Sequence, residues 1–196
     1  MKTNYLIIVF LLFVLSIKSQ NENDKWSFGV NLSVVVFSGE GSDKVKDRVN
    51  TQFPNIHVSR KLVKNISADF IYNFQLLGFS GIENIFKYTS FDAYLRYDLP
   101  ETFLKIVPFG GVGLGYIQGP TTAPNSEGSL SLNIMGGGTL WILKRFGLTA
   151  RLIYKYVSSD AESMASHVQL IGGVVYRFGM NSVFGKRQSR IWDMKH

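Results

Sequence analysis

Eight segments of this chain place apolar and polar residues on alternate positions, the period of an extended strand with two unlike faces. The last of them, HVQLIGGVVYRFG from His167 to Gly179, puts Val168, Leu170, Val174, Tyr176 and Phe178 on one face and Arg177, between the two aromatics, on the other. The others are read at Lys25–Phe37, Asn55–Val63, Ile66–Gln75, Tyr88–Leu99, Ile106–Ile117, Ser129–Ile142 and Phe146–Val157. Most run for roughly 10 to 13 residues, longer than the 5 to 6 usual in soluble sheets and suited to a tilted bilayer crossing of 9 to 11.

The connections carry a second, independent signal, because they alternate long and short: 38–53, 64–65, 76–87, 100–105, 118–128, 143–145 and 158–166. All long ones therefore fall at one end of the sheet, the asymmetry of a barrel with short turns on one side of a membrane and longer loops on the other. The faces agree with this. The apolar face carries aromatics near strand ends (Trp26, Tyr97, Tyr116, Phe146, Phe178), whereas the charged residues lie on the less apolar face. A soluble barrel does the reverse, packing its large apolar groups inside. A sheet in hydrocarbon must satisfy every backbone group, so the last strand is expected to pair with the first.

Residues 1–19 read as a secretory signal peptide: Lys2 comes first, then an apolar run from Tyr5 to Leu15, then Ser19, with cleavage expected near Ser19 or Gln20. The run is short of the roughly 20 residues a transmembrane helix needs. Cysteine is absent, which removes a disulfide framework, a thiolate metal site, a cysteine nucleophile and a lipoprotein-type anchor. The 14% aromatic content, with 19 glycines against 5 prolines, suits a sheet protein. The formal charge of +7 is concentrated in residues 180–196, where Lys186, Arg187, Arg190 and Lys195 face the single acid Asp193. For an exported chain that surplus points to an anionic lipid or an acidic partner rather than to nucleic acid.

The alternation sends Lys61, Asp69, Asp92, Arg96, Asp98, Arg151, Lys155 and Arg177 into the lumen. An eight-stranded barrel is just wide enough for side chains to fill it. Charges buried there must be paired, so the expectation is a salt-bridged plug, with Arg177 turned inward to Asp98 or Asp69. An ion or proton path through the same residues is the alternative.

The terminal strand, Gly173-Val174-Val175-Tyr176-Arg177-Phe178, matches the Gly-x-x-aromatic-x-aromatic signal by which the barrel-assembly machinery of diderm bacteria recognises its clients. With the leader and the eight strands, residues 20–179 resemble the OmpA/OmpX-type small outer-membrane β-barrels. The resemblance implies an all-β, eight-stranded antiparallel up-and-down transmembrane barrel in the bacterial outer membrane, in contact with its lipid and lipopolysaccharide. It implies an assembly role for Gly173, Tyr176 and Phe178 and leaves activity open, because fold does not decide function. This chain departs from the pattern by continuing past the last aromatic and by carrying Ile171 where a polar residue is usual.

Other constellations admit a chemical reading. His57-Val58-Ser59 is similar to the His-x-Ser arrangement of outer-membrane lipid A deacylases, in which a histidine activates a serine hydroxyl. That activity needs both groups facing lipid, whereas the alternation turns them inward. His167 lies near Ser163, Ser166, Asp160 and Glu162, which is ordinary loop composition. Gly110, Gly111, Gly113, Gly115 and Gly136–Gly138 are not followed by the Lys-Ser/Thr of a phosphate loop and are read as close backbone approach or as room for a bulky inward neighbour such as Trp141. The segments GEGSDKVKDRVN and QGPTTAPNSEG, on the long-loop side, are the expected contact regions for outside partners. The tail, MNSVFGKRQSRIWDMKH, is either a disordered basic segment or a docking peptide for a periplasmic or membrane partner, with Lys186, Arg187 and Arg190 around Trp192 as the anchor. The sequence thus predicts a non-enzymatic envelope component without cofactor or metal. A narrow pore, or a handler of lipid or small apolar solutes, is the alternative, and a lipid A-modifying enzyme comes third.

Overall fold

A computed structural model describes residues 25–37, 49–74, 88–102, 104–118, 128–158 and 164–179. The expected signal peptide and basic tail, including Lys186, Arg187, Arg190 and Trp192, lie outside the described residues. Eight strands follow in chain order: β1 (Trp26–Phe37), β2 (Val49–Val63), β3 (Ile66–Asn73), β4 (Thr89–Asp98), β5 (Ile106–Gln118), β6 (Ser129–Trp141), β7 (Phe146–Val157) and β8 (His167–Phe178). Each pairs antiparallel with its sequence neighbours, and β8 pairs with β1 from Trp26↔Phe178 to Phe37↔His167, closing the barrel. Closure leaves no strand edge unpaired, the condition for a sheet to exist in lipid. The short connections after β2, β4 and β6 share one end, hereafter the short-turn end.

Strand boundaries lie within two residues of the sequence reading except one. β2 begins at Val49 rather than Asn55, and the expected first loop is correspondingly shorter. The register shifts between Asn31 and Ser33, whose partners are Asn55 and Gln52, so β2 carries one extra residue around Phe53-Pro54. Such a bulge moves the alternation by one position. Asn50 and Gln52 point inward before it and Asn55 and His57 after it, so a strict count of alternate residues stops there.

The faces are as the alternation predicts. Leu130 (76% exposed), Leu114 (65%), Ile134, Leu152, Tyr154 and Tyr176 project outward, whereas Asp69, Asp92 and Lys155 have no exposed surface at all. A continuous apolar exterior on this scale is unsustainable in water and fits contact with lipid tails. Inside, ions alternate with apolar packing. Val35, Phe37, Tyr88, Ile117, Val157 and Met164 fill the lumen toward the long-connection end, and Ile71, Tyr94, Phe109, Met135, Ile153 and Ile171 fill its middle. Ile171, which departs from the expected polar residue in the terminal signal, belongs to this middle cluster.

Candidate functional site

Three layers of polar side chains occupy the lumen, and β4 supplies the axis of two of them. Its inward phase, Ser90, Asp92, Tyr94, Arg96 and Asp98, alternates with the outward Phe91, Ala93, Leu95 and Tyr97. In the upper ionic layer the Lys155 ammonium, from the non-adjacent β7, reaches Asp92 Oδ2 at 2.7 Å and Ser90 Oγ at 2.9 Å. Asp92 Oδ1 accepts from Asn133 Nδ2 at 2.9 Å, and Asn133 also donates to the Tyr94 hydroxyl at 3.2 Å. Gly115 pairs with Asp92 across β4–β5, and a Cβ there would strike the Asp92 carboxylate and the side chains of Ser131 and Asn133. The ion pair therefore fits only because that position is glycine.

In the lower ionic layer Arg96 joins two carboxylates. Its Nη1 donates to Asp69 Oδ2 at 2.8 Å and its Nε to Asp98 Oδ1 at 2.7 Å, while Ser67 Oγ donates to Asp98 Oδ2 at 3.2 Å. Arg96 pairs in register with Ser67, so Asp69 is its diagonal neighbour on β3, within reach of a long side chain. Arg151, fully buried on β7, approaches the same Asp69 oxygen at 3.4 Å. The Arg96 and Arg151 guanidiniums both lie over Phe109, at 4.9 and 5.6 Å from its ring centre. Lys155, Arg96 and Arg151 thus meet Asp92, Asp69 and Asp98, and the three cations balance the three anions.

The third layer is built of amides and hydroxyls, which carry no formal charge to mark them in the sequence. Asn55 Nδ2 donates to Asn73 Oδ1, Gln169 Nε2 donates to Ser33 Oγ at 2.7 Å and to Asn73 Oδ1 at 2.8 Å, and Asn73 Nδ2 donates to Ser90 Oγ at 2.8 Å, joining this belt to the Asp92 layer. Asn31 and Asn73 lie on the inward phase of β1 and β3. Gln52 was hidden by the β2 bulge.

Arg177 turns inward as expected, but its described contact is aromatic: the guanidinium lies 3.8 Å from the centre of the Trp141 ring. Asp69 and Asp98, the carboxylates expected for it, are held by Arg96, with Arg151 also on Asp69. Distance along the strands explains this, because Arg177 is the penultimate residue of β8 and Trp141 the last of β6, both at the short-turn end. Lys61 is there too. Both residues line a cavity of about 660 Å³ at that mouth of the barrel, above a floor of Arg96, Asp98 and Phe109.

His57 and Ser59 are buried in the lumen, as the alternation predicts, and His57 sits 3.1 Å from Asn31 Nδ2 in the space left by Gly29. His167 turns to the Tyr88 hydroxyl at 2.8 Å and lies tilted against the Phe37 ring, while Ser166 bonds the Val157 backbone. Ser163, Asp160 and Glu162 are outside the described residues. The glycines do make room, though for other neighbours than Trp141: a Cβ on Gly113 would meet the Tyr94 ring and one on Gly137 the Phe109 ring, whereas Trp141 lies against Gly147. Gly173 gives way to Asn31, and Tyr176 and Phe178 stack side by side on the outer wall with ring centres 6.4 Å apart.

Comparison with solved structures agrees with this architecture. Neisserial surface protein A superposes with a TM-score of 0.56 at 17% identity, over 78% of this chain and 97% of that one. The fold is that of the small outer-membrane β-barrels. The N-terminal barrel domain of Pseudomonas aeruginosa OprF (TM-score 0.55, 11% identity, 79% of this chain and 99% of that one) and the outer membrane protein OprG from the same organism (0.52, 12%, 81% and 95%) are similar in the same way. No protein-family model and no curated protein sequence matches the chain.

Proposed function

We propose that the chain is an integral β-barrel of the bacterial outer membrane, with a filled lumen and a structural or interaction role in the cell envelope, and that it is not an enzyme. One observation carries the reading: six inward charges, four of them buried, balance one another across the lumen in two layers separated by the middle apolar cluster. An electroneutral interior whose charges are paired leaves no stranded ion and resists ion passage. The location rests on the apolar exterior, the leader pattern and the terminal aromatic strand. Planar-bilayer recording tests the plug. A sealed trace is expected, and a steady conductance altered by Arg96→Ala or Arg151→Ala would instead establish a narrow pore. The pore reading has its own support, because Arg151 Nε and Nη1 and Asp69 Oδ1 make no hydrogen bond among the described residues. Buried donors and acceptors of that kind are places for water or a passing ion.

Interaction would run through two ends. Gly173, Tyr176 and Phe178 serve the barrel-assembly machinery in this reading, and the tail around Lys186, Arg187, Arg190 and Trp192 docks a periplasmic or membrane partner. Deleting residues 186–196 should leave a heat-resistant barrel on unboiled gels and remove the co-purifying partner. Unchanged recovery of that partner would end the docking idea. Lipid A mass spectrometry should be identical for wild type, His57→Ala and a deletion strain, since His57 and Ser59 do not face lipid.

A further inference from the structure

Four buried side-chain atoms that make no hydrogen bond among the described residues gather in one part of the lumen: Asn31 Oδ1, Asp69 Oδ1, and Arg151 Nε and Nη1. The strand register arranges their residues in a ring. Gly173 of β8 pairs with Asn31 of β1 on one side and with Thr149 of β7 on the other, so Arg151, two residues along β7, is its diagonal inward neighbour. Asp69 of β3 stands in the same diagonal relation to His57 of β2, which lies 3.1 Å from Asn31 Nδ2. Across the lumen Arg151 Nη1 comes to 3.4 Å from Asp69 Oδ2. Oδ1 of that carboxylate is then within the reach of one bridging water. The bonds already made set the directions of the rest. Asn31 Nδ2 faces the Asn55 backbone carbonyl and side-chain oxygen, which turns Asn31 Oδ1 toward Gly173, 2.6 Å from where a Cβ would stand. Asp69 Oδ2 is taken by Arg96 at 2.8 Å, which leaves Oδ1 for another donor.

We propose that this ring is a binding site for one or two structural water molecules, which complete the lower ionic layer. The inference rests on the filled-lumen reading and names what fills the part that side chains do not. Chemistry selects the ligand. Two donors and two acceptors face the ring, the complement of a water molecule's own two lone pairs and two hydrogens. An anion would suit the Arg151 edge but would meet the Asp69 carboxylate and the Asn31 carbonyl oxygen. A cation would suit those oxygens but would stand beside the guanidiniums of Arg96 and Arg151. A neutral ligand also leaves intact the balance of Arg96 and Arg151 against Asp69 and Asp98. Asn31, Asp69 and Arg151 are at most 2% exposed, so bulk solvent does not serve them. Arg96, which bonds Asp69 and also lines the short-turn cavity, marks the side from which the water exchanges. Water held by several polar partners is a fixed part of a fold, so the atoms that favour a pore belong in this account to the hydration of the plug.

The test is crystallography of the full-length wild type, grown in a lipidic mesophase with rubidium bromide and measured at the anomalous edges of both ions. Density is expected about 2.7 to 3.2 Å from Arg151 Nε or Nη1 and from Asn31 Oδ1 or Asp69 Oδ1, without anomalous signal from either ion. Arg151→Met takes away both donors and should lose that density, with the heat-shifted gel band confirming that the variant folds. A bromide or rubidium peak in the ring, direct protein partners for the four atoms, a ring without density where other buried waters are seen, or unchanged density in Arg151→Met would overturn the proposal and leave the filled lumen standing. Water density unbroken from one mouth of the barrel to the other would overturn both.

Discussion

Replacing Asp92 by asparagine tests whether the lumen is held together by balanced charge. The substitution keeps the shape of the side chain and can retain the bond from Asn133, so what it removes is the counter-charge of Lys155. At 2.7 Å, and with an effective dielectric of about 20, that attraction is about 6 kcal/mol before desolvation. Lys155 has no exposed surface and cannot recover by turning to water, so the net cost should approach the roughly 3 to 5 kcal/mol of a broken buried pair. Asp92→Asn/Lys155→Met removes both charges and should recover most of that loss, since a neutral interior of similar volume has no stranded ion. The assay is reversible urea unfolding in lipid vesicles followed by tryptophan fluorescence, with the difference between single and double variants as the readout. A single variant within 1 kcal/mol of wild type, or a double variant no better than the single, would refute the reasoning.

Other substitutions probe the wall from both sides. Ile134→Lys places a charge on the lipid face of β6 and should cost about 2 to 4 kcal/mol in the same unfolding assay. Gly115→Val should abolish the heat-resistant folded band on gels, because its side chain would occupy the place of the Asp92 carboxylate. Gly172→Ala faces open space on the outer wall and should raise stability by about 0.4 to 1 kcal/mol through the unfolded chain. Arg177→Gln should lose the cation–π contact and shift the emission of Trp141 in a chain whose other two tryptophans are replaced by phenylalanine.

What the sequence reveals depends on how local the determining physics is. β7 was read to the residue, Phe146–Val157, because its alternation is unbroken and its turn with β6 is short. β2 lost its first six residues because the bulge at Phe53-Pro54 reverses the phase, and nothing in a period-two count anticipates an extra residue. The direction of every charged lumen residue followed from phase. The partners did not, because Lys155 and Asp92 meet across the barrel from strands that are not neighbours, and that distance depends on how the sheet closes. The same limit explains Arg177, whose inward direction was legible and whose resting place on Trp141 was not. Apolar residues in the inward phase, such as Ile71 and Tyr94, were visible signals that the lumen is packed as well as charged.

Location and lumen both follow from which face of the strands meets lipid, and the absence of native cysteine makes that measurable residue by residue. Single cysteines placed in turn along β7, spin-labelled in bilayers, report oxygen collisions from the lipid side and nickel-chelate collisions from water. Labels at Phe146, Leu148, Ala150, Leu152, Tyr154 and Tyr156 should be rich in oxygen collisions, and those at Gly147, Thr149, Arg151, Ile153, Lys155 and Val157 should be poor in them. The opposite phase, or uniform access from water along the strand, would contradict the account.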